Sequence, residues 1–267
     1  MTLTTNPTPV EAAREVAELG SVVLRQIWPL DILARIEAAI AEYSRRRAAR
    51  VAAGTVLPGE RMYSTHGVGM FAALVYDGLL SNDILPEMFA NSPYKALCEA
   101  YFEDDVFYAF PKRLGFRNHD PLTSDRSYIP YHQDSYTQDP RVPRVLNCWM
   151  PLNPGAGVTS PGLEVVRHPC RPDFPRKDFG LRSENAAYDF ITIARERIVE
   201  DYGEVFLAPA FEVGDGLVFS ESVIHRTYVT PAMTQPRINF EFRVFSAKHL
   251  APGVSIDDLA GLAIRVS

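Results

Sequence analysis

Cysteine is scarce in this chain of 267 residues: Cys98, Cys148 and Cys170 are the whole complement, odd in number and without a C-x-x-C pair. That excludes a disulfide framework and a zinc cluster built on thiolates, and it fits a reducing compartment. An excess of positive charge is also missing. With a net charge of −6 at pH 7 and a pI near 5.6, neither a nucleic acid nor an anionic membrane is expected as the main partner. No apolar run approaches the length of a membrane span, and Met1 to Pro9 carries neither the basic nor the apolar region of a secretion signal. Repeats and low-complexity linkers are lacking too, so the expectation is one cytoplasmic domain spanning residues 1–267 and serving a small molecule.

The chain is rich, by contrast, in proline, glycine and aromatics, and 46% of it is hydrophobic. Such a composition can fill a core and favours strands and turns over a helical bundle. Thr8-Pro9-Val10-Glu11 has the form of a capping box with proline at the first helical position, which predicts a helix from there to about Leu19, stopped by Gly20. Ser21 to Ile27 is short and β-branched, a predicted strand. From Leu30 to about Arg50, Leu33, Ile36, Ile40 and Tyr43 recur at helical spacing. The arginines at 45, 46, 47 and 50 then read as a solvated helix end whose cations complement the dipole. Ala53 to Gly69 is loop-like, and its His66 reads as incidental. Leu85 to Glu103 is a second helical region with a start signal at Ser92-Pro93.

After Asp105 the pattern changes to short strands broken by Pro, Gly, Asn and Asp. Strands are predicted near Val106–Phe110, Leu114–Asn118, Ser127–Gln133, Val145–Leu152, Gly162–His168, Val205–Val213, Gly216–Phe219, Val223–Val229 and Arg237–Ser246. Asn185 to Asp201 fits helix or strand, with helix preferred. The expected fold is mainly β with flanking α-helices: helices over about 8–103 packed on a jelly roll over about 105–247.

Two strands sort their side chains by face. Ile238, Phe240, Phe242 and Val244 alternate with Arg237, Asn239, Glu241 and Arg243, so one side is apolar and the other polar. If the early amphipathic helices cover the apolar side, the polar side lines a cavity; in a one-layer arrangement it would face solvent. Leu146, Cys148 and Met150 alternate in the same way with Asn147 and Trp149. Cys148 then packs in the core and the other two point inward.

In Tyr131-His132-Gln133-Asp134 the His-x-Asp spacing directs His132 and Asp134 to one side of an extended segment. A distant histidine, His225, would complete two imidazoles and a carboxylate on one face of a metal, the donor set of non-haem iron(II) oxygenases. The tripeptide alone is a weak signal. Its context adds weight: Asp215-Gly216 turns into an apolar strand, His225 follows, and Arg237 opens the last long strand after Pro236.

With these motifs in order, the chain resembles the phytanoyl-CoA dioxygenase family of Fe(II)- and 2-oxoglutarate-dependent oxygenases. The matching stretches are Tyr131–Asp134, Asn147–Leu152, Gly162–Val166, Phe211–Asp215, His225–Thr227 and Pro236–Asn239, and Gly20–Leu24 resembles the family's amino-terminal part. The resemblance implies a double-stranded β-helix of the cupin-like kind. It implies that His132, Asp134 and His225 hold Fe(II), that Arg237 and Thr227 hold the distal carboxylate of 2-oxoglutarate, and that Trp149, with Asn147 beside it, lies against this cosubstrate. It further implies use of O₂, release of succinate and CO₂, and hydroxylation of an unactivated C–H bond; desaturation or cyclisation, or a jelly roll that binds a ligand without turnover, are the alternatives. A basic residue of the family on the preceding strand corresponds to Lys112 or Arg113, with the register open. The family's usual turn after Gly162–Val166 is replaced here by Arg167-His168-Pro169, so His168 is expected to be structural. Tyr131, Tyr136 and Arg117 are expected to face the organic substrate, for which an amino acid, a specialised metabolite and an acyl thioester all stay open.

Overall fold

The computed structural model describes residues 6–55, 66–68, 70–111, 114–122, 128–134, 139–170 and 193–267. The first helix, α1 (Pro9–Leu19), opens on the expected capping box: the Thr8 hydroxyl accepts the Glu11 N–H and the Glu11 carboxylate accepts the Thr8 N–H. Gly20 closes it in a left-handed conformation at φ 79°, where a Cβ would sit 2.8 Å from the His168 carbonyl oxygen. β1 (Ser21–Leu24) and α2 (Leu30–Ala52) follow. Ile32, Leu33, Ile36 and Ile40 form the buried stripe of α2, while Arg45 and Arg46 pair with Glu42 in solvent. Next come β2 (His66–Val68), α3 (Met70–Tyr76), α4 (Ile84–Ala90) and α5 (Tyr94–Phe102). The helix expected within Leu85–Glu103, with its start at Ser92-Pro93, is α5, and α4 precedes it across a break where Pro93 lacks an N–H.

The remaining elements are β3 (Phe107–Ala109), β4 (Gly115–His119), β5 (Leu146–Pro151), β6 (Gly162–Val166), α6 (Arg195–Tyr202), β7 (Phe206–Leu207), β8 (Gly216–Ser220), β9 (His225–Tyr228), β10 (Arg237–Ser246) and β11 (Ile264–Arg265). They build two antiparallel sheets. The larger runs β1-β8-β5-β10, and β10 continues to β4 through Arg237–Glu241 and to β3 through Phe245 and Ser246; β2 adds to β4 and β11 to β3. The smaller runs β7-β6-β9. Residues 129–132 lie alongside β9, with His132 and His225 exchanging both backbone bonds at 3.0 Å and the Thr227 N–H donating to the Ile129 carbonyl. This stretch was expected as a full strand; Pro130 has no N–H for the ladder, and the Thr227 hydroxyl takes the Ile129 N–H instead. The long strand expected over Val205–Val213 shrinks to β7 for a similar reason, with Pro209 two residues beyond it. Of the helix expected over 185–201, residues 185–192 lie outside the described residues, and α6 begins only at Arg195.

This is the mainly β jelly roll with flanking helices, and strands from both ends of the chain join its larger sheet. β1, from the amino-terminal part, pairs with β8 through all four of its residues and covers that edge of the larger sheet; β11 does the same beyond residue 247 at the other end. The Asp215 carboxylate anchors the first of these joins. It accepts from Arg25 at 2.7 Å, from the Gln26 N–H at 3.0 Å and from the Glu212 N–H at 2.9 Å. The largest core lies between the helices and the outer face of the larger sheet, and includes Trp28, Ile36, Phe89, Tyr94, Phe116, Cys148, Phe240, Phe242 and Val244. Its rings interlock: Phe116 stacks on Phe240 at 4.6 Å and Trp28 tilts on Tyr94 at 5.4 Å, while the buried Tyr94 hydroxyl donates to the Leu146 carbonyl. A smaller core, with Trp149, Leu163, Val165, Phe211, Leu217 and Phe219, fills the space between the sheets. Among the described residues no helix is long and apolar enough to cross a membrane.

Candidate metal and cosubstrate site

Bordering this core at Trp149, Leu163 and Phe219, a pocket is lined by His132, Asp134 and His225. All three are buried, and one donor atom from each lies within 4.8 Å of the others, the one such group among the described residues. The backbone exchange between His132 and His225 brings the rings to 4.2 Å between centroids, and Asp134 Oδ1 is 3.9 Å from His132 Nε2.

The tautomers follow from the partners. His132 Nδ1 is 2.8 Å from the Pro130 carbonyl oxygen and His225 Nδ1 is 3.0 Å from that of Val223. A carbonyl can only accept, so each Nδ1 carries the proton and a neutral ring offers a lone pair at Nε2. Burial, reinforced by His225, pushes the His132 pKa down to about 3, so this ring is neutral. For Asp134, burial alone acts upward, but Arg243 and then the two histidines outweigh it and hold the carboxyl well below the usual range. Arg243 Nη2 donates to Asp134 Oδ2 at 3.0 Å and Nε donates to Asn147 Oδ1 at 2.8 Å, and Arg243 also binds Glu241. Asp134 is therefore ionised, held through one oxygen, and turned toward the imidazoles with the other. Two imidazoles that turn Nε2 inward and a carboxylate are a fitting donor set for a divalent first-row metal such as iron.

Arg237 opens β10 on the inner face and is 1% exposed. Its Nη1 donates to the Gly162 carbonyl at 2.8 Å, Nη2 contacts His119 Nδ1, and its guanidinium lies 5.3 Å from the Trp149 ring centre. Nε has no partner, and among the described residues no carboxylate pairs with this arginine. Burial pulls its pKa down to about 9, and the neighbouring Arg117 adds to that. A buried cation without a counter-ion fits the carboxylate of a bound acid. Thr227 borders the same pocket; its oxygen accepts the Ile129 N–H at 3.2 Å, leaving its hydroxyl proton for the pocket.

The structure thus brings together His132, Asp134, His225, Arg237, Thr227, Trp149 and Arg117. Asn147 is not on the pocket wall; it stands one layer behind, holding Arg243. Tyr131 is not there either. Being adjacent to His132 in an extended segment, it points to the opposite side, where its hydroxyl binds Glu164 and Arg195 and its ring packs with Val166, Ile193 and Ile224. Tyr136, Lys112 and Arg113 lie outside the described residues. His168 lies against Tyr202 at 4.9 Å with the rings tilted, and does not line the pocket. Sequence reasoning missed His119 and gave no role to Arg243 or Glu241. For the last two, the shared inner face with Arg237 was the available signal; His119 is the register partner of Arg237 on β4, which only the pairing reveals.

No family model and no curated protein matches the chain. Solved structures do. EctD from S. alaskensis, solved with 2-oxoglutarate and 5-hydroxyectoine, superposes with a TM-score of 0.59 at 15% identity, over 92% of this chain and 79% of that one. The epimerase SnoN, in complex with Fe3+, alpha ketoglutarate and nogalamycin RO, gives 0.59 at 16% identity, over 95% and 90%. EvdO2 from Micromonospora carbonacea var. aurantiaca, complexed with 2-oxoglutarate, gives 0.55 at 17% identity, over 89% and 90%. At these identities the likeness establishes the fold.

Proposed function

We propose that this chain is an Fe(II)- and 2-oxoglutarate-dependent oxygenase of the phytanoyl-CoA dioxygenase type, one domain that hydroxylates an unactivated C–H bond of a small molecule in the cytoplasm. The observation that carries the reading is the joint occupancy of one pocket by three inward-turned metal donors and a buried arginine that lacks a counter-ion. Buried donors and a buried cation of this kind cost stability unless something binds there. That neighbours of the same fold are solved with iron and 2-oxoglutarate supports it.

When bound, iron, 2-oxoglutarate and O₂ supply an oxidant able to break a C–H bond, with succinate and CO₂ as by-products. The chain supplies the geometry. His132, Asp134 and His225 would hold the metal, each fixed from behind by a carbonyl or by Arg243. Arg237 pairs with the distal carboxylate of 2-oxoglutarate through its planar fork, and Thr227 donates to the same group. Trp149 walls the cosubstrate, while Leu163, Phe219 and Ile129 keep water from the reacting centre. Asp134 fills a position that must be free if a halide is to be bound, which favours oxygen transfer over halogenation.

Succinate formation that requires Fe(II), 2-oxoglutarate and O₂ and is abolished in Asp134→Ala tests this. No succinate from metal-loaded protein across a broad panel of small molecules would return the chain to the reading of a ligand-binding jelly roll. Because an epimerase shares this fold, the product decides the outcome: a new hydroxyl labelled from ¹⁸O₂ is expected, and unlabelled inversion, desaturation or ring closure would replace hydroxylation.

A further inference from the structure

Arg117 projects from β4 to the inner face, in register with Asn239, one step along the sheet from the Arg237 and His119 pair. It borders the pocket beside Glu241, and its side chain is 15% exposed. Its ionic contact is loose: Nε stands 3.7 Å from Glu241 Oε2, too far for a hydrogen bond, and among the described residues Nη1 and Nη2 have no partner. Glu241 is already bound more closely by Arg243. Arg117 is near enough for its charge to act on Asp134, His132 and Arg237.

Charge bookkeeping inside the pocket gives this arginine a task. Arg117, Arg237 and Arg243 face Asp134 and Glu241, a surplus of one positive charge. On the reading proposed above, the iron dication and the 2-oxoglutarate dianion cancel, so the surplus survives when both are bound. Arg243 is committed to Asp134, and Arg237 to the cosubstrate. What is left is one guanidinium with two free terminal nitrogens, next to a wall of Ile129, Leu163 and Phe219. A largely buried guanidinium without a full partner is costly, and a singly charged, planar oxyanion is the group whose shape and charge match it.

We infer that Arg117 binds the carboxylate of the organic substrate, so that this pocket takes a small carboxylic acid and Arg117 is the residue that selects for the acid. The carboxylate lies on the fork while the apolar part of the molecule rests on the Ile129, Leu163 and Phe219 wall. Glu241, at the side of the fork, then disfavours a substrate with a second negative charge.

The test uses the full chain loaded with Fe(II) and saturated with 2-oxoglutarate under nitrogen, so that Arg237 is already occupied. Acetate, hexanoate, benzoate, their primary amides and methyl phosphate are titrated by calorimetry and by the visible band of the iron–cosubstrate complex. Saturable binding of at least one carboxylate, with a shift of the band and none from its amide, is expected. Arg117→Gln should raise the Kd of that carboxylate about tenfold or more, while the Kd for 2-oxoglutarate moves by less than about threefold. Three results would overturn the inference: no carboxylate binding to the wild type, tighter binding of methyl phosphate than of any carboxylate, or a loss of 2-oxoglutarate affinity in Arg117→Gln that assigns Arg117 to the cosubstrate. If no band forms at all, the iron and 2-oxoglutarate reading itself fails, and that failure is seen before any probe is added.

Discussion

The two faces of β10 are buried alike and built from opposite chemistry. Phe240, Phe242 and Val244 are 0% exposed against the helices; Arg237, Asn239 and Glu241 are 1%, 0% and 6% exposed on the other face. On the outer face the contacts of the strand are chiefly apolar, and the rings of Phe89, Tyr94 and Trp28 close around Phe242. On the inner face polar groups are left incomplete: Arg237 Nε and both side-chain polar atoms of Asn239 have no partner. Burial of apolar surface stabilises a fold by about 25 cal/mol per Å², whereas a buried polar atom without a partner costs about 1–3 kcal/mol. One strand therefore joins a face that stabilises the jelly roll to a face whose incomplete groups await a ligand.

Substitutions on the two faces should separate stability from binding. Phe242→Ala leaves a cavity among closely packed rings and is expected to lower unfolding free energy by about 3–5 kcal/mol in denaturant titrations. The fraction that remains folded should bind 2-oxoglutarate as before. Arg237→Leu is expected to do the reverse: apoprotein stability stays within about 1 kcal/mol, since a buried cation without counter-ion is removed, while 2-oxoglutarate affinity falls about 10- to 100-fold in calorimetry. If Arg237→Leu unfolded the protein as Phe242→Ala does, the division between the faces would be wrong.

A comparable effect separates the donors from what holds them. Arg243→Lys keeps the charge beside Asp134 but loses the fork that reaches Asn147 and Glu241 at once; iron affinity is expected to fall about 10- to 100-fold with the fold intact. A further expected effect is in pH. His132 has its pKa lowered from 6.5 to about 3, chiefly by burial. Between these values the unfolded chain binds the proton and the folded one does not, so stability rises with pH through that window and is lost as pH falls from 6.5 toward 3. The melting temperature of metal-free protein should drop on acidification, and His132→Gln should flatten that drop.

How much of this was legible in the sequence depends on the range of the interaction. Local chemistry was readable: the Thr8 and Glu11 capping box, the Gly20 stop and the two faces of β10 all follow from neighbours in the chain. The spacing of His132 and Asp134 was equally local, and His225 and Arg237 came from the order of motifs in a resembling family. What depended on pairing across the sheet was not readable. Arg243 meets Asp134 from 109 residues away, and His119 meets Arg237 from 118. Tyr131 was placed in the pocket against the two-residue alternation that set His132 there, and the structure follows the alternation. β1 was readable as a strand from its short β-branched run, but nothing local shows that it will pair with β8.

The most direct measurement is an anaerobic visible spectrum of the iron-loaded protein as 2-oxoglutarate is added. A saturable charge-transfer band is expected, absent in Asp134→Ala and requiring far more 2-oxoglutarate in Arg237→Leu. A folded, iron-loaded protein that gives no band, or one whose band forms equally well without Arg237, would contradict the claim that the inner face of β10 and the His132, Asp134 and His225 set form a single site.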